Sequence, residues 1–253
     1  VKLDGLTLII PYYRNVAMLK MQLAAVARYD PRIKVVVVDD GSPEPAEQAI
    51  RSSGYLWQTF GGRLEVYRIL EDIPWNRGGA RNLGATVCTT DWLMHIDIDH
   101  LLPITCAARM LEVDGLKPTY WYRFPRYRVG IADETRNKDA IPRDATFGAI
   151  KPHIDSYLCT KSVYWLAGGY DEDYSGCLGG GSPFLQQLER TAPVSLMPPD
   201  VHLHVYTRSA CADASDFSLS RDTSEYSRRR KAKEATGATR AKNPLRFKWE
   251  RVL

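Results

Sequence analysis

Through the first hundred residues, compact apolar runs alternate with segments of helical period. Leu6 to Ile10 is an apolar run closed by Pro11, the pattern of a buried strand. Asn15 is suited to cap the following helix, in which Val16, Leu19, Leu23 and Val26 recur on one face until Asp30-Pro31 breaks it. Ile33 to Val38 is largely β-branched and does not alternate, as in a central parallel strand covered on both faces. Ser42-Pro43 predicts a helix N-terminus, with the helix reaching about Ser52 before Gly54. Leu64 to Leu70 reads as a third strand, Pro74 to Gly79 as a turn, Ala80 to Cys88 as a helix, and Trp92 opens a fourth strand. This alternation predicts an α/β fold with a mostly parallel, Rossmann-like sheet flanked by helices.

Beyond Pro103 the pattern loosens. A helix is expected over Pro103 to Val113, and one strand over Thr119 to Val129, where Tyr120, Tyr122 and Phe124 alternate with Arg123, Arg126 and Arg128. Gly130 to Thr146 reads as a polar loop and Tyr157 to Thr160 as a short strand. A helix over Lys161 to Leu166 stops at Gly168-Gly169. Tyr170 to Gly181 is a Gly- and acid-rich loop, and Ser182-Pro183 opens a helix through Glu189. Val194 to Met197 is strand-like, and helix is expected again around Ser224 to Ala235.

Two acidic clusters fall at predicted carboxyl ends of strands, where ligands bind in open α/β sheets: Asp39-Asp40, and Asp97 with Asp99. On an extended segment Asp97 and Asp99 share a face. Two like charges closing an apolar strand are costly without a compensating cation or donors. Mg²⁺ bound by one or two carboxylates and substrate phosphates suits such a site; a solvated turn that happens to hold two Asp gives the same short pattern.

Composition narrows the classes. With 44% hydrophobic and 25% charged residues, the chain is an ordinary globular one. No apolar stretch is long enough to span a membrane, and Val1-Lys2-Leu3-Asp4 lacks a leader pattern. Five scattered cysteines without a Cys-x-x-Cys point to reduced thiols and a cytoplasmic location. The net charge of +4 is uneven: Arg221 to Leu253 carries 11 Lys or Arg against 4 Asp or Glu.

Five motifs, in order, resemble the family 2-like glycosyltransferases of the GT-A fold. They are Leu8 to Arg14, Val37 to Ser42, Gly79-Ala80-Arg81-Asn82-Leu83-Gly84, Asp97-Ile98-Asp99, and the galactosyltransferase-like Gly168-Gly169-Tyr170-Asp171-Glu172. The resemblance covers roughly residues 6 to 205. It implies a GT-A catalytic domain over 1–205, with a nucleotide-binding part over about 1–102 and an acceptor-side part over about 103–205. A basic C-terminal extension, 206–253, follows.

The resemblance also implies roles. Pro11, Tyr12, Tyr13 and Arg14, with Asp39 and Asp40, would hold the base and ribose of a sugar nucleotide, most often UDP-linked. Gly79 and Arg81 would lie near the diphosphate, and Asp97-Ile98-Asp99 would be the Asp-x-Asp motif, with Asp97 and Asp99 on Mn²⁺ or Mg²⁺. A histidine near the end of the catalytic domain usually completes the coordination; His204 is favoured, with His202 as the alternative. His95 and His100 are expected to pack or to support. Inverting relatives carry a Glu-Asp pair at a helix start where this chain reads Gly179-Gly180-Gly181-Ser182-Pro183. That leaves Asp171, Glu172 and Asp173 as candidate bases, or a retaining reaction, so the stereochemical outcome stays open.

The implied reaction moves a hexose to an acceptor hydroxyl. The aromatic-basic segment and the basic extension admit a glycan, a protein or a nucleic acid carrying a modified base as acceptor, and lipid at a membrane surface draws on the same charge. A non-catalytic nucleotide-sugar or nucleic-acid binding module is the alternative; paired carboxylates, which a mere scaffold does not need, argue against it.

Overall fold

A computed structural model describes residues 1–54, 58–129, 150–206, 222–237 and 244–253. The first half runs β1 (Leu6–Tyr12), α1 (Val16–Val26), β2 (Ile33–Asp39), α2 (Ala46–Arg51), β3 (Leu64–Ile69), α3 (Arg77–Val87) and β4 (Trp92–His95). There follow β5 (His100–Leu101), α4 (Ile104–Leu111), β6 (Trp121–Arg123), β7 (Arg126–Val129), β8 (Tyr157–Thr160) and α5 (Lys161–Leu166). A 3₁₀ turn (Glu172–Tyr174), α6 (Gly181–Thr191), β9 (Val194–Leu196), β10 (Leu203–Tyr206), α7 (Ser224–Ala235) and β11 (Trp249–Arg251) complete the described elements.

Strands β3, β2, β1 and β4 are mutually parallel neighbours and form the centre of the main sheet. The chain moves outward from β1 to β3, then crosses back to lay β4 on the other side of β1. That reversal opens a crevice at the carboxyl ends of β1 and β4. Strand β8 runs antiparallel to β4, and β6 and β9 extend that side; β11 pairs antiparallel with β3 at the opposite edge. A small second sheet orders β5, β10 and β7.

Alternation across the strands builds two cores. Leu8, Ile10, Val35 and Val37 pack with Leu19, Leu23 and Val26 of α1, while Ile9, Val36 and Val38 face Ala80 and Leu83 of α3 on the other side. Gly84 sets that second contact: a Cβ there would stand 2.3 Å from Cγ2 of Ile9. A methyl group at this point would have to push the helix off the sheet.

Some boundaries differ from those expected. Helix α2 begins at Ala46 rather than after Ser42, because the Ser42 hydroxyl accepts from the Arg14 and Glu44 amides instead of capping a helix. The single strand expected over Thr119 to Val129 is two strands in different sheets, broken at Phe124-Pro125. Ser182 and Pro183 lie inside α6, whose first residue is Gly181. The loop expected over Gly130 to Thr146 lies outside the described residues, as does Cys211. Cys88, Cys106, Cys159 and Cys177 are buried free thiols. Among the described residues no helix is long and apolar enough to cross a membrane.

The described parts of the basic extension, 222–237 and 244–253, pack against this body. Phe247 is buried among the residues around α3, where a Cβ on Gly79 would come within 2.6 Å of its ring, and β11 then joins the sheet. Helix α7 buries none of its own residues; it is held by ion pairs and hydrogen bonds and by Tyr226 and Lys233 packing on Tyr174. Phe247→Ala should therefore cost about 3 kcal/mol in urea unfolding; a loss below about 1 kcal/mol would mean that residues 244–253 do not pack as described.

Candidate functional site

The carboxyl ends of β1, β2 and β4 bring together the motif residues. Asp39 ends β2 buried, with Oδ1 accepting from the Ser42 amide (2.8 Å), and Oδ2 from the Ala46 amide (2.9 Å) and Arg68 Nη1 (2.7 Å). Its oxygens are thus committed to shaping the β2–α2 turn. Asp40 accepts from Asn76 Nδ2 at 3.0 Å and is buried. Burial pushes its carboxyl up to about 7, with the neighbouring charge of Asp39 acting in the same direction and the Asn76 hydrogen bond against it. Tyr12 is buried and donates to the Glu44 carbonyl, whereas Tyr13 reaches the Asp72 carboxylate at 3.2 Å. Arg14 adopts a left-handed conformation (φ 58°), which turns the chain from β1 into α1 around the Ser42 hydroxyl.

Arg81 is the buried cation of the site, 1% exposed. It projects from α3 to ion-pair with Asp97 Oδ1, and its guanidinium lies over the Tyr170 ring at 5.3 Å. The other oxygen of Asp97 meets His153 Nδ1 at 3.2 Å. Burial opposes ionisation of Asp97, but Arg81 and then His153 outweigh it and lower its pKa. Asp99, 41% exposed, meets His100 Nδ1 at 2.7 Å, and His100 Nε2 lies 2.8 Å from Arg126 Nη1. Burial raises the Asp99 carboxyl, but the hydrogen bond and charge of His100, with His153 beyond, bring it below its ordinary value.

Two ligand sets emerge among the described residues: Asp97, Asp99 and His100, and Asp97, His153 and Asp155. In each, one ligand atom per residue lies within 4.8 Å of the others. Carboxylate oxygens mixed with imidazole nitrogen suit Mn²⁺ better than Mg²⁺, which prefers oxygen ligands. The donor set therefore fits the divalent ion that the Asp-x-Asp motif implies.

His202 and His204 do not join either set. Their rings lie 5.3 Å apart and tilted at 34°, with His204 on β10 of the second sheet and His202 just before it; His202 packs on Tyr127 and sits 3.5 Å from Cys106 Sγ. Burial, then His202, lowers His204 to about 4, and its Nε2 is buried without a hydrogen-bond partner among the described residues. His95 is fully enclosed by Tyr157, Tyr164 and Tyr170.

His153 and Asp155 were not among the expected site residues. Their signal was an acid and a histidine two residues apart, just before an apolar strand. Because β8 is antiparallel to β4, with Tyr157 opposite His95, residues preceding Tyr157 stand beside those following His95. Without the strand pairing, that juxtaposition is invisible.

The three candidate bases have other partners. Asp171 caps the 3₁₀ turn by accepting from the Asp173 amide and ion-pairs with Lys233 of α7. Asp173 meets Lys233 at 2.6 Å and also Arg246. Glu172 is buried, accepting from Asn82 Nδ2 (2.7 Å) and from the Leu245 (2.8 Å) and Arg246 (3.2 Å) amides. Asn82 completes the arrangement, its Oδ1 accepting from the Tyr164 hydroxyl and the Tyr170 amide. A Cβ on Gly169 would fall 2.7 Å from that oxygen, and its φ of 66° excludes most side chains.

This fold belongs to a known class. The model of glycosyl transferase family 2 matches residues 7–174, and the chain belongs to that family. Its architecture is the GT-A fold. Solved structures similar to it include S. aureus TarS 1-349 in complex with UDP-GlcNAc (TM-score 0.60, 14% identity, 81% of this chain and 59% of that one). GalNAc-T7 with UDP, GalNAc and Mn²⁺ follows at TM-score 0.58 and 12% identity, covering 81% of this chain and 44% of that one. The mannosyltransferase PcManGT from Pyrobaculum calidifontis, with GDP-Man and Mn²⁺, gives TM-score 0.52 and 18% identity over 80% of this chain and 56% of that one. This chain thus spans less than two thirds of each of these proteins. No curated protein sequence matches.

The buried Asp40 gives a pH signature. Its carboxyl rises from 3.8 to about 7 on folding, so its contribution to stability is complete below about pH 4 and is lost as pH rises through 7. Asp40→Asn should gain stability over wild type between pH 5 and 8, by an amount on the order of a few kcal/mol. Parallel stability–pH curves for the two proteins in urea unfolding would contradict the assignment.

Proposed function

We propose that this protein is a metal-dependent hexosyltransferase using a nucleotide sugar, most simply a UDP-sugar, and an acceptor hydroxyl. The observation that carries this reading is the meeting of Asp97, Asp99, His100, His153 and Asp155 at the strand ends beside buried Arg81. UDP-GlcNAc in TarS, UDP with GalNAc and Mn²⁺ in GalNAc-T7, and GDP-Man with Mn²⁺ in PcManGT support the same donor chemistry.

In this reading Pro11, Tyr12, Tyr13 and Arg14 line the nucleoside end, and Asp39 and Asp40 shape its floor. Ile98 offers backbone beside the ion, Gly79 acts from behind by leaving room for Asn76 and Phe247, and Arg81 places a fixed positive charge beside the diphosphate. Asp97 and Asp99 hold the ion, with His153 or His100 as the imidazole ligand in preference to His204. A bound Mn²⁺ or Mg²⁺ supplies Lewis-acid stabilisation of the departing nucleotide. Asp171 lines the adjoining cavity, but Lys233 must release it before it accepts a proton; Glu172 is occupied by three donors and is the weakest base of the three.

The catalytic unit in this account extends past 205, since β11 and Phe247 complete it. The four described buried thiols suit a reducing compartment such as the cytoplasm. Helix α7 exposes Arg228 and Arg230, each paired with a glutamate of the same helix, and an acidic acceptor such as a nucleic acid stands beside a glycan or a protein as a candidate. DNA binding undetectable even at low salt would remove that candidate. A purely binding role for the fold predicts nucleotide binding without sugar release.

Thermal shift with UDP-, GDP- and CDP-sugars, with and without Mn²⁺, tests the donor. Metal-dependent stabilisation by at least one nucleotide sugar is expected, and its absence across the panel sinks the reading. Asp99→Ala should keep the fold and lose the Mn²⁺-dependent part of donor binding by about 100-fold, a loss on the order of 3 kcal/mol. Unchanged donor affinity in Mn²⁺ would refute the role of Asp99.

A further inference from the structure

One side chain of the second sheet reaches the acid cluster. Arg126 opens β7, and β10 lies between that strand and β5, which begins at His100. The Arg126 guanidinium is engaged on both arms. Nη1 lies 2.8 Å from His100 Nε2, while Nε (2.8 Å) and Nη2 donate to the Lys151 carbonyl. The Arg126 carbonyl in turn accepts from the Ile150 amide at 2.9 Å. A single arginine thus grips the residue after Asp99 and also the segment that leads to His153.

Its chemistry sets the direction of the hydrogen bonds that follow. A guanidinium offers N–H donors and no acceptor. His100 Nε2 must therefore turn its lone pair to Arg126, which places the ring proton on Nδ1. That N–H lies 2.7 Å from Asp99 Oδ1 and donates to it. Both ring nitrogens of His100 are then used, and neither is left to bind an ion. His100 is 2% exposed and fixed by its surroundings, whereas Asp99 is 41% exposed and has little packing of its own.

We infer that Arg126 is a positioning residue of the ion site: acting through His100, it holds the Asp99 carboxylate in the orientation that meets the ion. The inference rests on the metal-dependent reading above, and it makes His100 a support rather than a ligand. The role runs against simple charge. Arg126 is near enough to Asp99 and Asp97 to feel their charges, and a cation there repels a divalent ion. Removing the charge alone would tighten Mn²⁺ binding. Breaking the hydrogen-bonded chain would loosen it, because partners that orient a ligating group are worth about tenfold or more in metal affinity. The sign of the effect separates the two.

Two measurements test the role. In the metal-free wild type at about pH 8, above the ordinary imidazole range, ¹⁵N NMR of the histidines should show His100 protonated on Nδ1 and bare on Nε2. Mn²⁺ binding in the presence of UDP, followed by EPR, should weaken about tenfold in Arg126→Met and in His100→Phe. The double variant should bind within about twofold of the weaker single one, since both changes break the same chain. Arg128→Met removes an exposed charge two residues along β7 without touching the chain, and should stay within about twofold of wild type. A proton on His100 Nε2 overturns the inference, and that result needs no variant to fold. Mn²⁺ binding in Arg126→Met as tight as in wild type or tighter, or losses that add in the double variant, overturns it while the metal reading stands. A wild type that binds no Mn²⁺ with UDP overturns both.

Discussion

The burial of Arg81 is the constraint on which the site depends. A guanidinium cannot be desolvated without partners, and this one takes Asp97 for charge and the Tyr170 ring for its face. Those two partners come from the end of β4 and from the loop after α5, and the nearby charge of Asp155 comes from the segment before β8. One side chain on α3 therefore ties three separate parts of the chain to a single point at the sheet's crevice. The cost of leaving this cation unpaired makes the geometry of the acids specific.

Asn82, the next residue along α3, does for neutral groups what Arg81 does for charge. Its amide satisfies the Tyr170 backbone at both ends and accepts from Tyr164, and it shares the Glu172 carboxylate with two amides of the C-terminal segment. Lys233 and Arg246 then neutralise Asp171 and Asp173. The loop after α5 is held from behind by residues far away in sequence. Those residues are basic because the loop they hold is acidic.

Much of this was legible in the chain. Ile33 to Val38 and Leu6 to Ile10 announced central strands because both faces of such strands are buried, and the two acidic strand ends followed from topology alone. Gly79, Arg81 and Asn82 were legible as a motif, though not that the glycine makes room for Phe247. What could not be read were contacts created by antiparallel returns. His153 and Asp155 reach the site only because β8 folds back along β4, and the terminal Trp249-Glu250-Arg251 has no strand signal until β3 offers an edge. His204 illustrates the converse: it was expected on the metal, but β10 carries it into the second sheet, where its ring lies beside that of His202.

The central claim is that Asp97 and Asp99 form one half of a diphosphate–metal clamp whose other half is Arg81. Crystals grown with UDP and Mn²⁺, measured at the manganese absorption edge, test it directly. The account predicts an anomalous peak within coordination distance of Asp97 or Asp99 oxygens, with phosphate oxygens completing the shell and the Arg81 guanidinium beside them. Nucleotide bound in the crevice with no manganese at these carboxylates, or manganese held at His202 and His204 instead, would contradict it.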